Sequence, residues 1–262
     1  YGSDAMGGVI HIHTKKASLE KLSGTLDASY NSSAQGTTGS LALSGTAADW
    51  SYRVSASDTD FGDRETPTGT LDHSGYTYRG YSVRLARTLD AVTLEGIWEF
   101  FDGAMESASI DLTPPLTEFF IDLPEWSREK VGFALTSTRG YGALIRFQGN
   151  LFLQNTYKDF VNDMAFQFAP SLPPSTLHIQ TQNELDTIGG SFQTDWVLGA
   201  NHTVSLGIET SQDQLDSIEI QDQIGFGPPL FLNYTYRAKL DQWAVFAQDE
   251  WQLNPAWEAY LG

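Results

Sequence analysis

The chain contains no cysteine, which excludes disulfide frameworks, thiolate metal sites and thiol nucleophiles. It has no run approaching the ~18 apolar residues of a membrane-spanning helix. That absence leaves β-barrels open, because their strands alternate lipid-facing apolar with lumen-facing polar residues. Basic residues are scarce, with 15 Lys and Arg against 33 Asp and Glu and a formal charge of −18. This argues against nucleic acid as a partner, since phosphate binding needs a concentrated basic face. A basic partner, a cationic ligand or bridging divalent ions suit it better, and a solvated acidic surface is the simplest account. The chain starts with no initiator Met, basic n-region or cleavage site, so its N-terminus reads as a cut. Gly-x-Ser-x-Gly, His-Glu-x-x-His and P-loop motifs are missing, and no carboxylates are paired across one cleft. The expectation is a protein that is not an enzyme and carries no cofactor.

What the sequence does have is period-two alternation in segments of about ten residues, the span of a tilted transmembrane strand. Trp50, Tyr52, Val54 and Ala56 alternate with Ser51, Arg53, Ser55 and Ser57, while Val92, Leu94, Trp98 and Phe100 alternate with Thr93, Glu95 and Glu99. Ten or eleven such strands are expected within the 262 residues. Their connections alternate in length. Short links fall at Thr46–Asp49, Leu89–Ala91, Gly199–His202 and Asn254–Trp257, and long ones at Asp58–Tyr78, Asp102–Arg128, Lys158–Leu185 and Asp213–Ala238. Short periplasmic turns on one rim and long extracellular loops on the other characterise outer-membrane barrels. Trp50, Tyr52, Trp98, Phe100, Phe101, Trp251 and Trp257 fall at strand ends, where interfacial girdles form.

The opening stretch YGSDAMGGVIHIHTKK resembles the end of the plug domain of TonB-dependent outer-membrane receptors. The matching positions are Tyr1, Gly2, Ser3, Gly7, Gly8, Val9, Ile10, Thr14 and Lys15. Near the other end, Phe246, Ala247, Gln248, Asp249, Glu250 and Trp251 resemble the family's mid-barrel hairpin before a periplasmic turn. The family barrel closes with about 22 strands around a plug. The resemblance therefore implies an all-β chain: residues 1–17 as the C-terminal end of a plug, and 18–262 as the N-terminal half of a transmembrane antiparallel barrel. It also implies a Gram-negative outer-membrane receptor that imports an iron-siderophore or related scarce nutrient. The implied partners are TonB, acting through a segment before residue 1, outer-membrane lipid and lipopolysaccharide, and a metal chelate or other small molecule. Half a barrel has two unpaired edges, so such a piece is not expected to insert alone.

Haem or cobalamin are alternative cargoes; a non-energised porin or adhesin, or a soluble carbohydrate-binding β-protein, are readings of another class. The haem-receptor motifs Phe-Arg-Ala-Pro and Asn-Pro-Asn-Leu are absent, although His73 and His178 raise the haem question. Ligand contact is expected from residues in or beside the long loops: Arg64, Tyr76, Tyr78, Arg79, Trp126, Arg128, Lys158, His178, Tyr234, Tyr236 and Arg237. Their cations suit an anionic chelate and their rings stack on catecholate or haem. No metal site is expected. His11 and His13 share one strand face but lack a third ligand. The acidic residues Asp58, Asp60, Asp63, Glu65 and Asp72, with Asp213, Asp216, Glu219 and Asp222, show no EF-hand spacing.

Overall fold

The computed structural model describes residues 15–107 and 112–262. Tyr1, Gly2, Ser3, Gly7, Gly8, Val9, Ile10 and Thr14 of the plug-like motif, with His11 and His13, lie outside the described residues. The described elements are all strands: β1 (Ser23–Asn31), β2 (Gly36–Ala47), β3 (Trp50–Phe61), β4 (Arg64–Thr66), β5 (Gly69–Leu71), β6 (Tyr76–Thr88), β7 (Val92–Met105), β8 (Leu116–Ser137), β9 (Leu144–Phe166), β10 (Ser175–Leu198), β11 (His202–Ile224), β12 (Leu230–Asn254) and β13 (Trp257–Leu261). Eleven of them form one antiparallel meander in which each strand pairs with its neighbour in the sequence, and β4 and β5 form a separate small hairpin.

Tight turns gather at one end of the sheet. Ala48 (φ 52°) and Gly199 (φ 67°) take left-handed backbone in two of them, which lets neighbouring strands reverse within a few residues. At the other end the expected long loops are mostly strand. Residues 158–185 contain a connection of only residues 167–174, and 213–238 one of only 225–229. β8 to β12 run 22 to 25 residues each, whereas ~9–11 suffice to cross a bilayer. The surplus, about 12 residues at ~3.3 Å each, carries these hairpins roughly 40 Å further. Pro114-Pro115, Pro173-Pro174 and Pro228-Pro229 stand immediately before β8, β10 and β12. Proline donates no backbone N–H, so each pair ends the ladder where the outgoing strand begins.

Register determines which residues share a face. Toward the tight-turn end, Leu43, Val54, Val83 and Trp98 lie on one face, followed by Val131, Leu153, Ile188 and, on the next two strands, Ile208 and Val245. The opposite face carries Arg53, Ser55, Ser82, Glu99, Gln148, Ser191 and Gln193. Partway along β10 and β12 this assignment exchanges. On β10, Ile188, Phe192 and Trp196 share a face with Asp186, Glu184 and His178, whereas Leu185, Ile179 and Leu177 point the other way. On β12, Val245 and Trp243 give way on their own face to Asp241, Lys239 and Arg237, while Leu240, Tyr236, Tyr234 and Leu232 take the opposite one. The polar face of the first segment is therefore continuous with the apolar and aromatic face of the second.

This exchange predicts a position-dependent response to charge. In the complete protein folded in bilayers, Leu151→Lys on the apolar face of β9 is expected to cost about 2–4 kcal/mol, and Gln182→Lys, on the same face of the sheet but beyond the exchange, less than about 1 kcal/mol. Equal costs in equilibrium unfolding would contradict the boundary.

Candidate functional site

The residues expected to touch ligand lie on strands, with Arg64 in the small β4–β5 hairpin. Strand parity divides them. Tyr76, Tyr78, Trp126, Arg128, Lys158, Tyr234 and Tyr236 lie on the face that is polar at the tight-turn end, hereafter the inner face. Arg79, His178 and Arg237 lie on the outer face, each beside a carboxylate: Arg79 Nε donates to Asp58 Oδ2 at 2.9 Å, His178 Nδ1 meets Asp163 Oδ1 at 2.5 Å, and Arg237 Nε donates to Asp216 Oδ1 at 2.5 Å. These three do not converge with the rings.

Four of the inner-face residues, Tyr76, Tyr78, Trp126 and Lys158, do converge. Phe61 meets Tyr76 edge-on (centroids 5.0 Å apart), Tyr76 stacks with Tyr78 at 6.5 Å, Tyr78 with Phe101 at 6.5 Å, and Phe101 meets Trp126 edge-on at 5.2 Å. Lys158 Nζ then lies 5.0 Å from the centre of the Trp126 ring, within cation–π range. A ladder of five rings and a cation thus crosses β3, β6, β7, β8 and β9. Its geometry follows from cross-strand pairing: Trp126 is directly opposite Lys158, and Tyr78 opposite Gly103. Gly103 leaves the room; a Cβ there would lie 2.9 Å from the Thr77 carbonyl oxygen and 3.2 Å from Tyr78 Cβ. On β12 the Tyr234 and Tyr236 rings stack at 6.2 Å.

Phe101 was expected in a girdle with Trp98 and Phe100, and the structure corrects this. Consecutive residues of a strand face opposite sides, so Trp98 and Phe100 stack outside at 6.4 Å while Phe101 joins the inner ladder. Trp98 Nε1 donates to Glu129 Oε1 at 2.8 Å on the outer face. Phe61, Leu185 and Leu215 are further inner-face residues not singled out from the sequence; strand parity was the available signal.

Charge is distributed unevenly. Segments 58–80, 99–130, 155–187 and 209–241 hold 23 acidic and 7 basic residues, and the rest of the chain holds 10 and 8. The excess acid of the long-strand end is concentrated on the outer face, with Asp58, Asp102, Glu129, Asp163, Glu184, Asp186 and Asp241. Among the described residues no three His, Asp or Glu side chains come together as a metal site.

The hydrogen bond from Arg237, with a second from Gln214, holds the Asp216 carboxyl below its ordinary value. A lowered carboxylate pKa stabilises the fold above the ordinary carboxylate range, and that contribution is lost as pH falls through the lowered value. In Arg237→Gln, acid-induced loss of hydrogen-exchange protection in β12 is expected to begin at higher pH. An unchanged profile would show that the pair does not hold this hairpin.

No family model matches the chain, and no curated protein matches it. Among solved structures it is similar to the copper transporter OprC, with 13% identity and a TM-score of 0.63 over 92% of this chain and 36% of that one. It is also similar to the ferric yersiniabactin uptake receptor FyuA from Yersinia pestis, with 14% identity and a TM-score of 0.61 over 91% and 41%. The chain spans less than half the length of either structure. The fold class defined by register and similarity together is a section of a large antiparallel β-barrel wall.

Proposed function

We propose that the chain forms part of the wall of an outer-membrane receptor in a Gram-negative bacterium, importing a scarce small molecule with energy delivered through TonB. The observation that carries this reading is the exchange of faces between Ile188 and Leu185 on β10, repeated between Trp243 and Leu240 on β12. A strand whose outer side is apolar only at one end is suited to lipid there and to water beyond it. The inner ring ladder then lies outside the membrane, at the mouth of the lumen, where an incoming solute arrives. Residues 18–262 form the barrel section in this reading, and 1–17 the end of a plug; TonB acts through a segment outside this chain.

Closure supports the same arrangement. Among the described residues β1 pairs only with β2, and Leu230–Gln248 of β12 pair only with β11. Peptide groups left unpaired in hydrocarbon each cost several kcal/mol, so further strands are required to complete the wall.

The proposed cargo is an iron chelate or a related nutrient, haem and cobalamin included. The names of the two similar proteins give copper and ferric yersiniabactin as their cargoes, which is compatible with a metal-linked solute. Ligand contact is assigned to Tyr76, Tyr78, Phe101, Trp126, Tyr234 and Tyr236, with Arg128 and Lys158 beside them. Arg79, His178 and Arg237 face away and are matched by carboxylates, and the surrounding segments are strongly acidic. Long-range repulsion therefore disfavours a highly anionic chelate, and stacking on rings favours a neutral or cationic one.

Uptake by a deletion strain carrying the complete gene tests both parts. Ferrichrome (neutral) and ferrioxamine B (cationic) are expected to outperform ferric enterobactin (strongly anionic), and Tyr234→Ala with Tyr236→Ala to weaken uptake at least about tenfold. Uptake that persists unchanged without TonB would replace energised import with passive diffusion. A clear preference for the anionic chelate would overturn the ligand assignment alone.

A further inference from the structure

The outer, apolar face carries a groove of about 900 Å³, within the ~300–1,000 Å³ range of small-molecule sites. Its floor is low at Gly96 on β7, where a Cβ would meet only the Phe133 ring edge at 3.9 Å, whereas the Phe192 ring leans over Gly149 on β9 and the Leu151 side chain over Gly190 on β10. Gly96 lies opposite Phe133, Gly149 opposite Phe192 and Gly190 opposite Leu151. Leu94, Leu135 and Ile208 complete the walls.

The groove runs across the strands from Trp50 on β3 to Thr210 on β11. With neighbouring strands ~4.8 Å apart, six steps give roughly 29 Å. Two leaflets share about 30 Å of hydrocarbon, so an acyl chain reaching half that depth fits with room to spare. Trp50 is the first residue of its strand, next to a tight turn, whereas Ile208 lies six residues into β11. The groove therefore begins at the tight-turn rim and rises toward the opposite boundary.

At the low end it carries a cation. The Arg87 guanidinium lies 5.3 Å over the Trp50 ring, and among the described residues it makes no ion pair. The other charged residue along the groove is Glu95, whose carboxylate is on the inner face, 3.4 Å from Arg84. An apolar trough ending in one outward cation, which on the proposed outer-membrane reading sits at the depth of lipid headgroups, is complementary to an anionic head with an acyl tail.

We propose that this groove binds an anionic glycerophospholipid of the periplasmic leaflet, with its phosphate on Arg87 and an acyl chain laid over Gly96 and along Leu94, Leu135, Leu151 and Ile208. Arg87 presents several N–H donors to phosphate oxygens, and Gly96 lets the chain sit below the crest of Phe133. The site is on the opposite side of the wall from the solute-contacting rings, so it does not depend on which solute is carried.

Native mass spectrometry of the complete protein, with dipalmitoyl phosphatidylglycerol or dipalmitoyl phosphatidylcholine added in equal amounts, tests the proposal. Retention of phosphatidylglycerol is expected to exceed that of phosphatidylcholine at least about fivefold. Arg87→Gln is expected to abolish the preference, and Arg87→Lys to restore part of it. Gly96→Leu is expected to reduce retention of both lipids by filling the trough; a Cβ there meets only the Phe133 ring edge at 3.9 Å, so folding is preserved. Arg139→Gln, at another tight turn where Arg139 already pairs with Asp90 at 3.1 Å, is the control and should leave the preference intact. Equal retention of the two lipids by the unaltered protein would overturn the proposal. So would a preference that survives Arg87→Gln, or one lost equally in Arg139→Gln.

Discussion

A peptide group facing hydrocarbon has no water to bond to, and in the proposed barrel wall this constraint organises the sheet. Each strand pairs with the next in one antiparallel ladder, with register shifts at points such as Asp122/Glu125 and Asp195/Trp196, so side chains decide what each face meets. Two faces with period-two alternation allow one side to be oily and the other wet. The tight turns keep that ladder in register at one end, while long hairpins extend it at the other. On the proposed reading those extensions lie past the membrane, so both faces meet water and the sequence is free to move its apolar residues inward.

That freedom is used differently on different strands. β10 and β12 exchange faces cleanly, from Ile188 to Leu185 and from Trp243 to Leu240. On β11, Ile218 and Ile220 remain on the outer side beyond the exchange, so the outer wall is mixed there rather than uniformly polar. The inner wall gains the rings, and the outer wall gains the acids that pair with Arg79 and Arg237 and hydrogen-bond His178. On the proposed reading, a solute at the mouth meets a face dominated by Tyr, Phe and Trp within a negatively charged surround. The inner ring ladder and the outer apolar groove are products of one ladder, on opposite sides and at different heights.

Much of this was legible in the sequence. The alternation around Trp50–Ser57 and the turns at residues 89–91 and 199–202 appear within a residue or two of their expected places. The long connections were misjudged for a physical reason. Beyond Ile188 the alternation continues but its apolar phase shifts by one residue, to Leu185, so a pattern sought on one face looks interrupted and reads as loop. Phe100-Phe101 is a smaller case of the same effect: adjacent rings look like one girdle, yet a strand must send them to opposite sides. The pairing of Lys158 with Trp126, and of His178 with Asp163, depends on register between strands and has no local signature.

The native absence of cysteine makes the exchange of faces directly measurable. Single cysteines placed through β10 of the complete protein in bilayers, at Phe192, Ile188, Asp186, Gln182 and Leu185, can be probed with a membrane-impermeant thiol reagent and with a fluorophore quenched by brominated lipid. The account predicts lipid quenching at 192 and 188, its loss at 186 and 182 with reagent access, and no lipid quenching at 185. Continued lipid quenching at 186 and 182 would contradict it, because the outer face would then remain in hydrocarbon beyond the exchange.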